Sequence, residues 1–162
     1  MKFNKMLIIC VLVSILHFNY VYSLTNNGFI VVPIESKCYS SSELNEVNNY
    51  LISKLRDLDK NNFRPSHEIY KQVGDNDKLM KILRDPSQIK QLSDKLNVRY
   101  IITSYITKID KRLALSITIY DTKNGAKKYI AADRKNYSTK NFKKEIIPTL
   151  AKQINKYCKN VK

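Results

Sequence analysis

The chain has 162 residues, of which 43% are hydrophobic, and this length and composition suit one domain with one ordinary core. Its formal net charge is +15, which favours contact with nucleic acid, anionic lipid or an anionic wall polymer, but the lysines are spread along the chain as on a solvated surface. The sequence contains no glycine-rich phosphate loop, no nucleophile elbow and no histidine or cysteine pair at zinc spacing, which excludes the common enzyme signatures.

The first 23 residues have the anatomy of a secretory signal peptide. Lys2 and Lys5 precede an apolar run at residues 6–16, and Val21 and Ser23 suit the −3 and −1 positions of a cleavage site. The rival interpretation is an uncleaved membrane anchor, but this run is shorter than the roughly 18 apolar residues that span a bilayer. We predict a signal peptide at residues 1–23 and a single domain at residues 24–162, in the periplasm. The alternatives are secretion outside the cell, or membrane anchoring through an uncleaved signal.

The mature chain begins with a predicted strand and helix. Residues 28–34 form a continuous apolar run that is closed by Pro33, as in a strand buried on both faces. Ser40 and Glu43 can form a capping box, and apolar residues at helical spacing follow them. These signals predict a helix over residues 41–59 that packs one side on a sheet.

Shorter elements come next in the chain. Residues 63–65 suggest a short second strand that a proline ends, and helical patterns at residues 68–73 and 79–83 flank a polar turn. An Asp-Pro pair then opens a predicted helix over residues 86–96, with the aspartate as its N-cap. Asn97 suits the left-handed conformation that closes such a helix.

Three strands form the centre of the predicted sheet. Residues 98–109 and 113–121 are rich in Ile, Val, Thr and Tyr and are joined by a charged tripeptide, which indicates a hairpin. Large apolar residues alternate strictly with smaller or more polar ones from Leu113 to Tyr120, so that one face is buried. Turn chemistry at residues 121–125 predicts a third strand over residues 126–137.

The final predicted helix covers residues 139–158, and Pro148 should bend it or divide it into two pieces. Cys158 lies on its apolar side, and Cys38 is the other cysteine of the predicted mature chain. An even pair in an oxidising compartment suggests a disulfide, with two unpaired thiols as the alternative. The fold is therefore predicted as mixed α/β, with one mixed sheet of about four or five strands packed by three main helices.

A resemblance to a known family appears where a helix enters the first hairpin strand. Residues 97–106, which read Asn-Val-Arg-Tyr-Ile-Ile-Thr-Ser-Tyr-Ile, resemble periplasmic domains related to the TolB amino-terminal domain. The strand that ends in Asp121, followed by Gly125, is similar to that family's strand ending in Asp-x-x-Thr-Gly. The signature also occurs in curli-assembly-like and penicillin-binding-protein-activator-like envelope proteins, and exported proteins of the DUF2380 type look like this chain over residues 105–129.

The resemblance implies a fold, an envelope compartment and an adaptor or assembly role, without shared catalytic residues. Asn97 and Ser104 stand where the family usually has glycine, and the chain has no lipid-attachment cysteine, which counts against an anchored activator or a pore subunit.

The predicted function is a non-enzymatic exported domain that binds another envelope or secreted protein, without a cofactor or a metal. A basic module that docks on anionic lipid or polymer is the alternative, and an enzyme of unfamiliar type is a third possibility. Nucleic acid is not an expected partner of an exported chain. The residues proposed for a partner surface are Tyr100, Tyr105, Tyr120, Lys140, Lys143 and Lys144. For the tyrosines, core packing with a wet hydroxyl is the competing interpretation.

Overall fold

The computed structural model describes residues 28–33, 35–36, 39–109, 112–135 and 142–160, so the predicted signal peptide lies outside the described residues. The strands are β1 (Phe29–Val31), β2 (Glu35–Ser36), β3 (Phe63–Arg64), β4 (Tyr100–Ile109), β5 (Arg112–Asp121) and β6 (Lys127–Lys135). The helices are α1 (Ser41–Leu58), α2 (His67–Val73), α3 (Asn76–Ile82), α4 (Pro86–Leu96) and α5 (Ile147–Asn160), the last preceded by a π-helical turn at Phe142–Ile146.

The strands form one mixed sheet in the order β3-β1-β4-β5-β6, and β2 pairs with β4 beyond the end of β1. β1 is parallel to both β3 and β4, whereas β4, β5 and β6 form an antiparallel meander. All three residues of β1 are buried, as the apolar run predicts for a strand inside a sheet. The predicted mixed α/β fold is therefore confirmed.

Two helices, α1 and α5, cover one face of the sheet. The alternating residues of β5 from Leu113 to Ile119 point into this core, which confirms the predicted period of two. The predicted capping box begins α1: the amide of Glu43 donates to Ser40 Oγ, and the amide of Ser40 donates back to the Glu43 carboxylate. Together α1, α5 and the sheet form the larger of the two cores.

The short helices α2, α3 and α4 pack on part of the opposite face. Their core includes Ile30 of β1, Ile101 of β4 and Tyr120 of β5. Further along the same face Tyr105 and Ser116 are exposed, so this end of the sheet faces solvent. None of the described helices combines the length and the apolar character that a membrane span requires.

Local signals account for most element boundaries. The helix over residues 86–96 appears as predicted, with Asp85 as its N-cap and Asn97 in the left-handed conformation at φ 50° and ψ 49°. The piece predicted at residues 79–83 instead starts at Asn76, because the carboxylate of Asp75 caps the amide of Lys78. β2 was not predicted, since two residues carry no periodic pattern.

The last helix is divided, as its proline suggests. Pro148 is the second residue of α5 and so lies in its first turn, where a missing N–H is tolerated. The π-helical turn lies directly before α5. Residues 139–141 of the predicted helix and residues 136–137 of the predicted third strand lie outside the described residues.

Candidate functional site

An open groove lies between the outer strand β6 and the helix α5. Its volume is about 570 Å³. Among the described residues, two lysines line it, and no carboxylate does. Tyr129 is the most exposed large hydrophobic residue beside the groove, with 69% of its surface accessible to solvent. The lining residues are Lys128, Tyr129, Ile130, Ala131, Gln153, Lys156 and Tyr157.

The outer edge of β6 also presents backbone hydrogen-bonding groups. The amide of Asp121 donates to the carbonyl of Ala126 at 2.8 Å, so this pair is one of the hydrogen-bonded pairs of the antiparallel ladder. From Ala126 onward, alternate residues of β6 direct their N–H and C=O groups to β5. The residues between them direct theirs outward; they include Lys127, Tyr129 and Ala131. Among the described strands, none pairs with this edge.

A buried ion pair joins the beginning of β4 to the end of β5. Arg99 Nε lies 3.2 Å from one carboxylate oxygen of Asp121, and Arg99 Nη2 lies 3.1 Å from the other. The Asp121 side chain is 0% exposed. The hydroxyl of Thr122 donates to the carbonyl of Arg99 at 2.9 Å, and the hydroxyl of Ser93 donates to the carbonyl of Val98 at 2.8 Å. These contacts link α4 to both strands and give the pair a structural role.

Two tyrosine rings lie beside that ion pair. The guanidinium carbon of Arg99 is 5.0 Å from the ring centroid of Tyr100, and the rings of Tyr100 and Tyr157 meet edge to face at 6.2 Å. Burial raises the pKa of Tyr100 well above its usual value, and its hydroxyl has no hydrogen-bond partner among the described residues. The hydroxyl therefore stays protonated at neutral pH and is a poor general base.

Two tyrosines proposed for the partner surface are instead part of the core. Tyr100 is fully buried beneath α1 and α5, and Tyr120 is buried beneath α2, α3 and α4. This corrects their assignment as partner residues, because the two faces of the sheet are covered by different helices at this end. Tyr105 is 36% exposed at the uncovered end of the sheet.

The proposed lysines do not form one patch. Lys143 is half-buried and pairs with the carboxylate of Glu46, Lys144 is exposed, and Lys140 lies outside the described residues. The groove residues Lys128 and Tyr129 were not singled out from the sequence, whereas Lys156 belongs to the C-terminal lysines considered for docking on an anionic surface. The sequence held a weak signal for a binding edge. Lys-Lys-Tyr-Ile begins the last strand of the meander, and this strand must have one outer edge unless another element covers it.

Metal-binding and histidine chemistry find no support in the described part of the chain. No group of three or more His, Cys, Asp or Glu side chains comes together there. His67 is exposed at the start of α2, as expected for a surface residue.

The described neighbours of the two mature cysteines lie far apart. Helices α1 and α5 run in the same direction, because Lys143 pairs with Glu46 near the beginning of α1, and Lys159 Nζ lies 4.0 Å from Asp59, just past its end. Cys158 is buried near the carboxyl end of α1, whereas Ser40 caps the other end of that 18-residue helix, roughly 27 Å away.

A disulfide needs Cα atoms within about 7 Å of each other. Cys38 lies outside the described residues, so the Cys38–Cys158 bridge stays a prediction.

We expect Cys158 to be a shielded thiol. In the Cys38→Ser variant, its reaction with iodoacetamide should be at least about a hundredfold slower in the folded protein than in urea. Burial raises the pKa of the Cys158 thiol to about 12, so little reactive thiolate forms as the pH rises from 7 to 9. Mass spectrometry of the labelled protein measures the rate, and rapid labelling of the folded variant would contradict this expectation.

The wild-type protein supplies the control for the cysteine pairing. When it is unfolded without a reductant, two labelled thiols per mature chain would show that the bridge is absent. No labelled thiol would show that the bridge forms.

Comparison with known proteins identifies the fold only. No model of a known protein family matches the chain, and no curated protein matches its sequence. The chain is similar to the solved structure of the lipoprotein GNA1162 from Neisseria meningitidis, with a TM-score of 0.51 and 14% identity over 79% of this chain and 96% of that one.

Two further solved structures are similar at lower scores. The PelC dodecamer from Paraburkholderia phytofirmans has a TM-score of 0.49 and 13% identity, over 78% of this chain and 85% of that one. TolB from Acinetobacter baumannii has a TM-score of 0.47 and 11% identity, over 80% of this chain but 26% of that one. No family model supports the DUF2380 resemblance. The chain thus shares its mixed α/β fold with the lipoprotein GNA1162.

Proposed function

We propose that the chain is a non-enzymatic exported domain that binds another envelope or secreted protein. The observation that carries this proposal is the open edge of β6 beside the α5 groove. This nine-residue strand has outward backbone groups, and Tyr129 stands exposed next to them. An exposed strand edge is a ready template for pairing with another polypeptide.

The chemistry of the groove supports binding better than catalysis. The part of its lining that the structure describes contains no histidine, cysteine or carboxylate that could act as a base or a nucleophile. The ion pair of Arg99 and Asp121 is enclosed in the core, where a substrate would have to displace packed side chains. A binding role needs only the exposed groups that this edge offers.

Export rests on the predicted signal peptide at residues 1–23. The fold shared with a lipoprotein is compatible with an envelope location. A mature mass that lacks residues 1–23 would support export, and a mass that retains them would favour the anchored alternative.

Docking on anionic lipid or polymer is the second candidate. The net charge of +15 favours it, and exposed lysines on α5 such as Lys152 and Lys156 could contact an anionic surface. Such contacts between exposed charges are screened by salt. Retention on anionic vesicles that disappears at about 0.5 M salt would therefore favour this candidate.

Chemical cross-linking in cells of the native host, followed by capture of the tagged chain, tests the protein-binding function. We expect one discrete protein, recovered in proportion to the tagged chain and retained through high-salt washing. A captured set that is no different from that of an unrelated basic exported protein would contradict the proposal.

A further inference from the structure

We infer that the groove between β6 and α5 receives an extended acidic segment of a protein partner, which adds to the sheet as a strand alongside β6. This inference rests on the proposed protein-binding function and names its site and the chemistry of its partner.

The outer edge of β6 offers backbone hydrogen bonds to an added strand. Lys127, Tyr129 and Ala131 direct their N–H and C=O groups away from β5, so alternate residues offer a donor and an acceptor along the edge. An extended segment can satisfy these groups in register, as in recognition by strand addition. This requires little rearrangement, since the nine residues of β6 are already held in strand conformation by β5.

The side chains beside this edge form a groove that an added strand would fill. Ile130 packs against the core on the α5 side of the sheet, and Lys128 shares that face two residues away. A strand added to β6 would direct every second side chain to the same side, into the groove in front of Gln153, Lys156 and Tyr157. The segment would thus be recognised by its backbone and by one row of its side chains.

The charge of the groove selects the partner. Lys128 and Lys156 are both exposed in the lining, and no carboxylate among the described lining residues neutralises them. Lys127 lies on the opposite face of the sheet, with its Nζ 5.2 Å from the ring centroid of Tyr120, so the positive charge of the groove comes from Lys128 and Lys156. A second copy that paired through β6 would bring these lysines against one another, and lysine on an edge strand discourages such pairing. A segment with acidic side chains in the groove row fits both the charge and the backbone.

Synthetic peptides test the inference on the full mature chain. The probe is an eight-residue peptide of alternating Asp and Val; one control has Lys in place of Asp, and another is N-methylated at alternate residues to remove backbone donors. NMR titration should show binding of the acidic peptide, with shifts confined to the amides of β6 and the groove side of α5. Both controls should bind at least about tenfold more weakly.

A proline substitution tests the backbone contribution from the protein side. Tyr129→Pro removes an outward N–H and leaves the ladder to β5 intact, and proline is tolerated on an edge strand in this orientation. We expect at least about tenfold weaker peptide binding. If this variant fails to fold, the N-methylated peptide gives the same test from the side of the ligand.

A matched pair of charge variants tests the lysines. Lys128→Glu with Lys156→Glu should weaken acidic-peptide binding at least about fivefold at 0.1 M salt, and less at 0.5 M. Lys71→Glu with Lys90→Glu makes the same change in net charge on α2 and α4, where both lysines are exposed, and should bind as wild type. Equal losses of peptide affinity in the two double variants would overturn the assignment of the groove as the peptide-binding site.

Other outcomes separate this inference from the proposed function. If wild type and Tyr129→Pro capture the same cellular partner equally, the site is wrong and the protein-binding function stands. If wild type captures no discrete partner, the function itself fails. Absence of acidic-peptide binding at millimolar concentration, or binding of anionic phosphatidylglycerol vesicles alone, would also overturn the inference.

Discussion

Asp121→Asn is expected to lower the free energy of unfolding by about 3 kcal/mol or more. The carboxylate receives two hydrogen bonds from the guanidinium of Arg99, at 3.2 and 3.1 Å, and a third from the amide of Lys123 at 3.0 Å. Asparagine removes the negative charge and leaves the buried cation without its paired carboxylate. Because a small domain has only about 5 to 15 kcal/mol of stability, urea unfolding should show a large shift of the midpoint.

Two controls distinguish the loss of this pair from general electrostatic effects. Replacing Arg99 and Asp121 together by leucine should recover much of the lost stability, because the cost arises from burying the Arg99 cation without the Asp121 carboxylate. Lys159→Gln breaks a 4.0 Å contact with Asp59 in which the lysine is mostly exposed, and should cost less than about 0.5 kcal/mol. A loss of that small size in Asp121→Asn would contradict a structural role for the buried pair.

The importance of this ion pair could not be predicted from the sequence, although its neighbourhood could. Arg99 belongs to the segment that resembles the TolB-type domains, and Asp121 was interpreted as turn chemistry, which its bond to Lys123 confirms. The strand register brings the two residues together across β4 and β5, and packing by α4 and α5 buries them. Burial by distant elements leaves no local pattern in either strand.

Elements specified by neighbouring residues were predictable. The capping box of Ser40 and Glu43, the left-handed Asn97 and the alternation from Leu113 to Ile119 all depend on residues a few positions apart. The turn before β6 is another such case, since Asn124 Oδ1 accepts the amide of Ala126 at 2.9 Å and Gly125 has φ 71°. Short-range hydrogen bonds and periodicity fix these features before any tertiary contact forms.

The candidate site depended on long-range packing and was therefore mostly missed. Tyr100, Tyr105 and Tyr120 look alike in the sequence, yet two are buried under different helix layers and the third is exposed. The groove exists because α5 packs beside the outer strand, which places Lys156 opposite Lys128 although they are far apart in the chain. Strand order determines which strand is outermost, and amphipathic periodicity alone does not specify strand order.

Gly28→Ala is expected to lower the free energy of unfolding by about 2 kcal/mol, measured by urea denaturation. A Cβ at this position would lie 2.9 Å from the carbonyl oxygen of Asn97 and 3.4 Å from the Cα of Val98. Both are backbone atoms and cannot rotate away as a flexible side chain would. The carbonyl of Gly28 also accepts the amides of Arg99 and Tyr100, at 2.7 and 3.1 Å, so displacing it would loosen the junction of β1 and β4.

Comparison with Gly125 separates crowding at Gly28 from conformational strain. Gly125 has φ 71° and no neighbour within 4 Å of an added Cβ, so Gly125→Ala should cost about 1 kcal/mol through backbone conformation alone. Lengthening the side chain further, to Gln, should add little at this open turn. At Gly28 the cost should rise from Ala to Val, because each added atom meets the fixed backbone of Asn97 and Val98. Equal stability of Gly28→Ala and wild type would mean that Gly28 does not lie this close to the backbone of Asn97 and Val98.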